Sequence, residues 1–125
     1  VLDGMLQRDS GHIVNIGSVA GIQAYTTCAA YAASKHAVHG LSETLRLDYG
    51  KTGIKVSEVL PGMVKTEFAA TRFGDTQQGE QYYDDFGVCL EPDDVARSVL
   101  FALDQPQDVV IAQLVVVPTR RPRNS

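Results

Sequence analysis

Tyr31 and Lys35 are the residues of this sequence whose types and spacing most directly predict chemistry. In a helix, side chains four positions apart lie on the same face, one turn from each other. The Lys35 ammonium would then stand beside the Tyr31 phenol and favour its ionised form, because opposite charges attract. A phenol tuned in this way exchanges a proton with a substrate oxygen near neutral pH. The pair therefore predicts general acid–base catalysis.

Two apolar, strand-like runs lead to polar residues that would complete such a site. The first run, residues 12–17, ends directly before Ser18, whose hydroxyl can donate a hydrogen bond to a substrate oxygen. The second run, residues 54–60, leads into Pro61-Gly-Met-Val-Lys-Thr66. Without these neighbours, the tyrosine would be best interpreted as a core residue and the lysine as a solvated charge.

Ser18 and Thr66 each have a structural interpretation beside the functional one. Ser18 fits a hydrolase nucleophile poorly, because the G-x-S-x-G turn needs glycine where Ile16 and Ala20 stand. It could still serve as a cap where the strand ends. Thr66 could cap a short helix, with or without facing a cofactor. These alternatives stay open at the level of the sequence.

Three segments resemble the short-chain dehydrogenase/reductase family in order and spacing. They are Asn15-Ile-Gly-Ser-Val-Ala-Gly21, Tyr31-Ala-Ala-Ser-Lys35 and Pro61-Gly-Met-Val-Lys-Thr66. The resemblance covers nearly the whole chain. Its later segments are most similar to one branch, the NADP-dependent 3-hydroxy acid and L-allo-threonine dehydrogenases. Those segments are Thr66-Glu-Phe68, Thr71-Arg-Phe-Gly-Asp75, Glu91-Pro-Asp-Asp-Val-Ala96 and Val115-Val-Val-Pro-Thr119.

The resemblance implies hydride transfer between NADP, with NAD possible, and an alcohol or carbonyl substrate such as a small hydroxy acid. Tyr31 is then the acid or base, Lys35 also binds the ribose hydroxyls, and Ser18 orients the substrate oxygen. The loop after the second strand is implied to hold the nicotinamide through its backbone and the Thr66 hydroxyl. The implied cofactor contacts are those of Tyr31, Lys35, Pro61, Gly62, Val64 and Thr66.

The glycine-rich turn that binds a dinucleotide pyrophosphate, G-x-G-x-x-G, does not occur, since no two of the 11 glycines lie two positions apart. In the family this turn lies in the N-terminal half, with an asparagine of the catalytic tetrad. We therefore expect residues 1–125 to be the C-terminal half of a Rossmann-type doubly wound parallel sheet, an α/β fold. The alternative is an inactive truncated fragment or fold relative with only an association role, which the intact serine, tyrosine and lysine argue against.

The periodicity and the turn signals predict strands that alternate with helices. A helix end at 1–9 precedes a strand at 12–17, a loop to 27 and a helix at 28–50. A strand at 54–60 leads to a loop with a short helix at 61–73, then a polar, mobile stretch at 74–87. A helix at 92–103 and a strand at 109–117 complete the prediction. This order indicates one partial α/β domain.

Composition excludes several classes of partner. A net charge of −4 and a pI near 5.2 argue against nucleic acid and anionic membranes. The basic end, residues 120–123, is best interpreted as a solvated terminus. Cys28 and Cys89 are far apart and indicate free thiols in a reducing, cytoplasmic compartment. The resemblance implies a homodimer or homotetramer.

Four further features of the sequence bear on function. Arg72 would suit a carboxylate substrate, or it is a solvated helix charge. His36 and His39 lie three apart, but without a nearby acidic or cysteine cluster we predict no metal site. The aromatic residues of the polar stretch either form a lid over the substrate or pack that stretch down; they are Tyr82, Tyr83 and Phe86. The pair at 93–94 is interpreted as a helix cap.

Overall fold

The computed structural model describes residues 1–120 of the chain. Three parallel strands lie in the order β1-β2-β3 with β2 in the centre. The elements are α1 (Leu2–Gln7), β1 (Gly11–Ile16), a 3₁₀ turn (Val19–Gly21), α2 (Ala29–Asp48), β2 (Ile54–Pro61), α3 (Phe68–Phe73), α4 (Thr76–Phe86), α5 (Pro92–Leu103) and β3 (Gln113–Val116). The predicted α/β class with a parallel sheet is confirmed. Most of the predicted basic end, 121–123, lies outside the described residues.

The carboxyl ends of the three strands meet at one edge of the sheet. Ile16 at the end of β1 lies opposite Val59, and Pro61 at the end of β2 lies opposite Val116 in β3. One further backbone hydrogen bond extends each ladder, from Gly17 N to the Val59 carbonyl at 2.8 Å and from Gly62 N to the Val116 carbonyl at 2.7 Å. Ser18 and the loop after Pro61 therefore leave the sheet at the same edge.

Strand β2 forms the centre of the core. All of its residues except Lys55 are buried, as its β-branched, apolar sequence predicts for a central parallel strand. Its apolar core residues are Ile54, Val56, Val59 and Leu60. Two polar residues of the strand are also buried, Ser57 at 1% and Glu58 at 0% exposed.

Helix α2 contacts the sheet through polar side chains rather than an apolar stripe. Leu41 on this helix is 54% exposed. Four polar residues at helical spacing reach the sheet or the segment before β3: Lys35 to the Ile16 carbonyl, His39 to Glu58, Ser42 to Asn15 and Arg46 to the Ala112 carbonyl. The position of α2 over the sheet thus depends on directional hydrogen bonds.

Residues 74–87 were predicted to be a polar, mobile stretch. The prediction of mobility is wrong, because most of these residues form helix α4. The Asp75 side chain accepts hydrogen bonds from Gln77 N at 2.8 Å and from Gln78 N at 3.1 Å, which satisfies free amides at the helix start. Gly79 then allows close packing on α3, since a Cβ there would lie 2.5 Å from Ala70 N. Capping and one small residue therefore outweigh the weak apolar character of this helix.

Helix α5 begins and ends where the sequence predicted it, and its start is a reciprocal cap. Asp94 accepts a hydrogen bond from Glu91 N at 2.7 Å, and the Glu91 side chain accepts one in return. Strand β3 is shorter than predicted. Within residues 1–120, no helix has both the length and the apolar character that crossing a bilayer needs.

Candidate active site

Ser18 lies at the point where the chain leaves β1 and turns away from the sheet. It is 7% exposed, and its Oγ accepts a hydrogen bond from Ala20 N at 3.1 Å, so it caps the 3₁₀ turn. The capping interpretation is therefore correct. A serine hydroxyl has one donor and two acceptor sites, so this cap leaves its own O–H able to donate to a substrate.

Gly21 brings the turn that carries Ser18 against the helix that carries Lys35. A Cβ at residue 21 would lie 2.7 Å from the Lys35 carbonyl oxygen, which is closer than real side chains approach. Only glycine therefore lets the turn approach α2 this closely. This close contact joins the two elements of the site at the backbone level.

Lys35 connects the end of β1 to the ring of Tyr31. Its Nζ donates to the Ile16 carbonyl at 3.1 Å and lies 5.9 Å from the centroid of the Tyr31 ring. The distance to the ring is at the outer limit of a cation–π contact. The two side chains are thus one turn apart on one face of α2, as their spacing predicts, and the ammonium is near the aromatic group.

Tyr31 is half-buried against the helix that follows the second loop. Its ring lies 5.2 Å from the ring of Phe68, with the planes inclined by 52°. Such a tilted pair is a favourable aromatic arrangement. Phe68 belongs to α3, so the phenol is held between α2 and the segment that starts at Pro61.

The loop at 61–66 is anchored along its length by backbone hydrogen bonds. Lys65 N donates to the Leu90 carbonyl, and Leu90 N donates to the Met63 carbonyl, both at 2.8 Å. Val64 forms a parallel bridge with Leu90. Together with the Gly62 contact to β3, these bonds give the predicted cofactor loop a fixed shape at the carboxyl edge of the sheet.

Thr66 ends this loop and lies directly before Glu67, the N-cap residue of α3. Its Oγ1 accepts from Phe68 N at 3.2 Å, and its backbone N–H donates to the Tyr83 hydroxyl at 3.4 Å. Tyr83 is 5% exposed, and the same hydroxyl accepts from Ala69 N at 3.3 Å. Of the two alternatives for the aromatic residues of α4, packing is therefore correct for Tyr83, which fastens α4 to the loop.

Arg72 bridges α3 to the segment that enters α2. Its Nη2 donates to the Thr27 carbonyl at 3.3 Å and to the Thr27 hydroxyl at 3.4 Å. Its guanidinium carbon lies 5.4 Å from the Phe73 ring and 5.9 Å from the Tyr82 ring. The guanidinium is thus held at the margin of the site between two aromatic rings.

The two histidines three positions apart have different partners. His36 Nδ1 lies 2.9 Å from the Ala32 carbonyl oxygen on the exposed side of α2. His39 Nδ1 lies 2.7 Å from Glu58 Oε2 in the interior. The sequence prediction missed Glu58; the signal that could have found it was the one carboxylate in the run predicted as a strand.

Comparison with known proteins agrees with the family resemblance and with the fold. A family profile described as short chain dehydrogenase matches residues 1–77. An NADP-dependent 3-hydroxy acid dehydrogenase of Schizosaccharomyces pombe is 37% identical over 122 residues, which is 97% of this chain and 47% of that protein. An uncharacterized oxidoreductase of Staphylococcus aureus is 38% identical over 117 residues, 94% of this chain and 46% of that protein.

Among solved structures, the closed form of a serine dehydrogenase complexed with NADP+ superposes with a TM-score of 0.89 at 38% identity. The superposition covers 100% of this chain and 49% of that one. The chain belongs to the short-chain dehydrogenase family. It spans about half the length of the curated relatives that it matches.

Proposed function

We propose that the protein transfers hydride between NADP(H) and an alcohol or carbonyl substrate, with Ser18, Tyr31 and Lys35 acting on the substrate oxygen. The observation that carries this proposal is the position of the Lys35 ammonium, 3.1 Å from the Ile16 carbonyl oxygen and 5.9 Å from the Tyr31 ring centroid. In this proposal residues 1–125 form the C-terminal part of a dinucleotide-binding domain.

The donors at the carboxyl edge fit the nicotinamide end of NADP. Lys35 has three N–H donors and uses one on the Ile16 carbonyl, which leaves two for ribose hydroxyls. Thr66 accepts through Oγ1 from Phe68 N and keeps its own O–H for a carboxamide oxygen. When bound, the cofactor supplies or accepts the hydride. The names of two similar proteins, the NADP-dependent dehydrogenase and the NADP+ complex, support the choice of NADP, with NAD as the alternative.

The residues of this chain then have distinct roles in carbonyl reduction. Tyr31 donates its hydroxyl proton to the substrate oxygen as negative charge develops there. Ser18 donates a hydrogen bond to the same oxygen and so fixes its position and stabilises that charge. Lys35 stabilises the phenolate that remains on Tyr31. In the oxidative direction the phenolate accepts the proton instead.

A small hydroxy acid is the substrate that we propose, because Arg72 contacts the segment that leads into the helix of Tyr31. Phe68 contacts Tyr31, and Arg72, four residues further along α3, contacts Thr27 in the segment that precedes α2. Within residues 1–120 the guanidinium forms no ion pair. A carboxylate could replace Thr27 as its partner through two parallel hydrogen bonds. Similar proteins named for 3-hydroxy acid and serine dehydrogenation support this class.

We also propose that the full-length polypeptide forms a homodimer or homotetramer. Exposed apolar side chains on α5 support association, since Leu100 is 64% and Phe101 is 53% exposed. Light scattering coupled to size-exclusion chromatography gives the mass directly. A monomer at micromolar concentration would contradict this part of the proposal.

Replacement of Tyr31 by phenylalanine in the full-length polypeptide tests the proposed reaction. We expect NADPH binding, followed by its fluorescence, to stay within about threefold of wild type, and kcat to fall by ~10²-fold or more. Tyr49→Phe, at the far end of α2, is the matched control and should keep full activity. A wild-type protein that does not bind NADPH, does not oxidise it with keto acids and does not reduce NADP+ with hydroxy acids would instead favour the association-only alternative.

A further inference from the structure

The buried carboxylate of Glu58 lies between the two elements of the site. Its Oε2 is 2.7 Å from His39 Nδ1, and Glu58 is 0% exposed. Among the described residues, its second oxygen, Oε1, has no hydrogen-bond partner. A buried carboxylate is costly to desolvate, and a single neighbour compensates that cost only in part. A well-packed apolar side chain in its place would carry no such cost.

One oxygen of Glu58 lies against the backbone directly before Ser18. A Cβ at residue 17 would lie 2.3 Å from Glu58 Oε1 and 3.1 Å from its carboxyl carbon. Gly17 therefore gives the carboxylate room to pack against the chain where it leaves β1. Ser18 is the next residue along the chain.

The other oxygen of Glu58 connects to the face of α2 that carries the chemistry. Positions 31, 35 and 39 are spaced by four and follow one another along one side of the helix. His39 is thus one turn beyond Lys35 and two turns beyond Tyr31. A contact at His39 therefore bears on the distance of α2 from β2 and on the rotation of α2 about its axis.

We propose that Glu58, through Gly17 on one side and His39 on the other, is a positioning residue that sets the distance between Ser18 and the Tyr31–Lys35 face. This inference rests on the function proposed above. Ser18 and Tyr31 must reach the same substrate oxygen, so a misplacement of about 1 Å is enough to cost up to ~10²-fold in rate. Glu58 touches neither substrate nor cofactor in this proposal.

Three variants of the full-length polypeptide test whether Glu58 is a positioning residue. We expect Glu58→Ala to lower kcat by about 10- to 100-fold while the KM for NADPH changes by less than about threefold. Glu58→Gln, which still offers an oxygen to His39, should recover most of the lost kcat. Ser57→Ala is the matched control, because Ser57 is 1% exposed on the opposite face of β2 and hydrogen-bonds His12 at 2.7 Å. It should lower thermal stability without changing kcat.

A double-mutant cycle separates positioning from general loss of stability. Gly17→Ala should lower kcat by itself, because its methyl group would collide with the carboxylate. In Gly17→Ala/Glu58→Ala the carboxylate is gone, so kcat should be no lower than in Glu58→Ala alone. Independent, multiplicative losses would overturn the proposal. So would a Glu58→Ala enzyme with wild-type kcat, while a loss of activity in Tyr31→Phe in the same assays would leave the proposed function intact.

Discussion

The rings of Tyr31 and Phe68 are in contact, with centroids 5.2 Å apart and planes at 52°. This contact ties the proposed acid–base residue on α2 to the first residue of α3. The segment between β2 and α3 is the loop that we propose to hold the nicotinamide. A change in the position of α3 should therefore change the position of the Tyr31 phenol.

Phe68→Ala should reduce kcat/KM by up to about tenfold, because an aromatic pair contributes ~0.5–1.5 kcal/mol beyond its area. Steady-state kinetics of the full-length polypeptide measure the effect. Phe68→Tyr keeps the ring and should stay near wild type. Unchanged kcat/KM in the alanine variant would show that the ring contact does not position Tyr31.

Arg72→Ala should raise the KM for a 3-hydroxy acid by about 10-fold or more, since hydrogen bonds to a charged group contribute ~1.5–3 kcal/mol. The KM for a neutral secondary alcohol should change by less than about twofold. Arg72→Lys keeps the charge but cannot form two parallel hydrogen bonds, so its KM for the 3-hydroxy acid should lie between those of wild type and Arg72→Ala. Equal effects on both substrates would rule out carboxylate recognition by this residue.

Tyr83→Phe should lower the free energy of unfolding by about 1–3 kcal/mol, because two backbone N–H groups lose their acceptor. One of them belongs to Thr66, so the KM for NADPH should also rise. Tyr82→Phe keeps its edge contact with Phe73 and is the control. Denaturant titration and NADPH kinetics of the three proteins decide the outcome.

His12 should make stability depend on pH. Burial, assisted by the positive charge of Lys55, lowers the pKa of His12 below its ordinary value of 6.5. As pH falls through 6.5, the unfolded chain takes up a proton that the folded protein resists. The free energy of unfolding therefore decreases until the folded-state pKa is passed.

Comparison of wild type with His12→Gln isolates this contribution. Denaturant unfolding at a series of pH values should show a steeper loss on acidification for wild type than for the variant. Parallel curves for the two proteins would mean that the imidazole titrates alike in both states. Above pH 7 His12 is neutral in both the folded and the unfolded state, so it should add no pH dependence to the free energy of unfolding.

The elements that the sequence predicted well have local signals. Helix α5 begins with a proline and two aspartates, and its observed cap uses Asp94. Strand β2 was recognisable from its β-branched, apolar run. Helix α4 was missed because its residues are polar and its stability depends on the Asp75 cap and on packing against α3, which needs tertiary information.

The candidate site divides in the same way. The Tyr31–Lys35 spacing predicts a shared face because it is a property of the helix alone. The partners of Glu58 and Arg72 were not predictable, since Glu58 and His39 are 19 positions apart and Arg72 and Thr27 are 45 apart. No local pattern specifies which distant residues meet across a sheet or a helix pair.

Pro61 explains why the chain departs from the sheet just before Ser18. In a parallel ladder, the residue that follows the Val59 contact by two positions would donate its amide hydrogen to the Gly17 carbonyl. Proline has no such hydrogen. The rim of the sheet is consequently stepped: pairing with β1 ends at Val59, whereas pairing with β3 continues two residues further, to Pro61. The chain at Ser18 therefore leaves the sheet before the loop that follows Pro61 does.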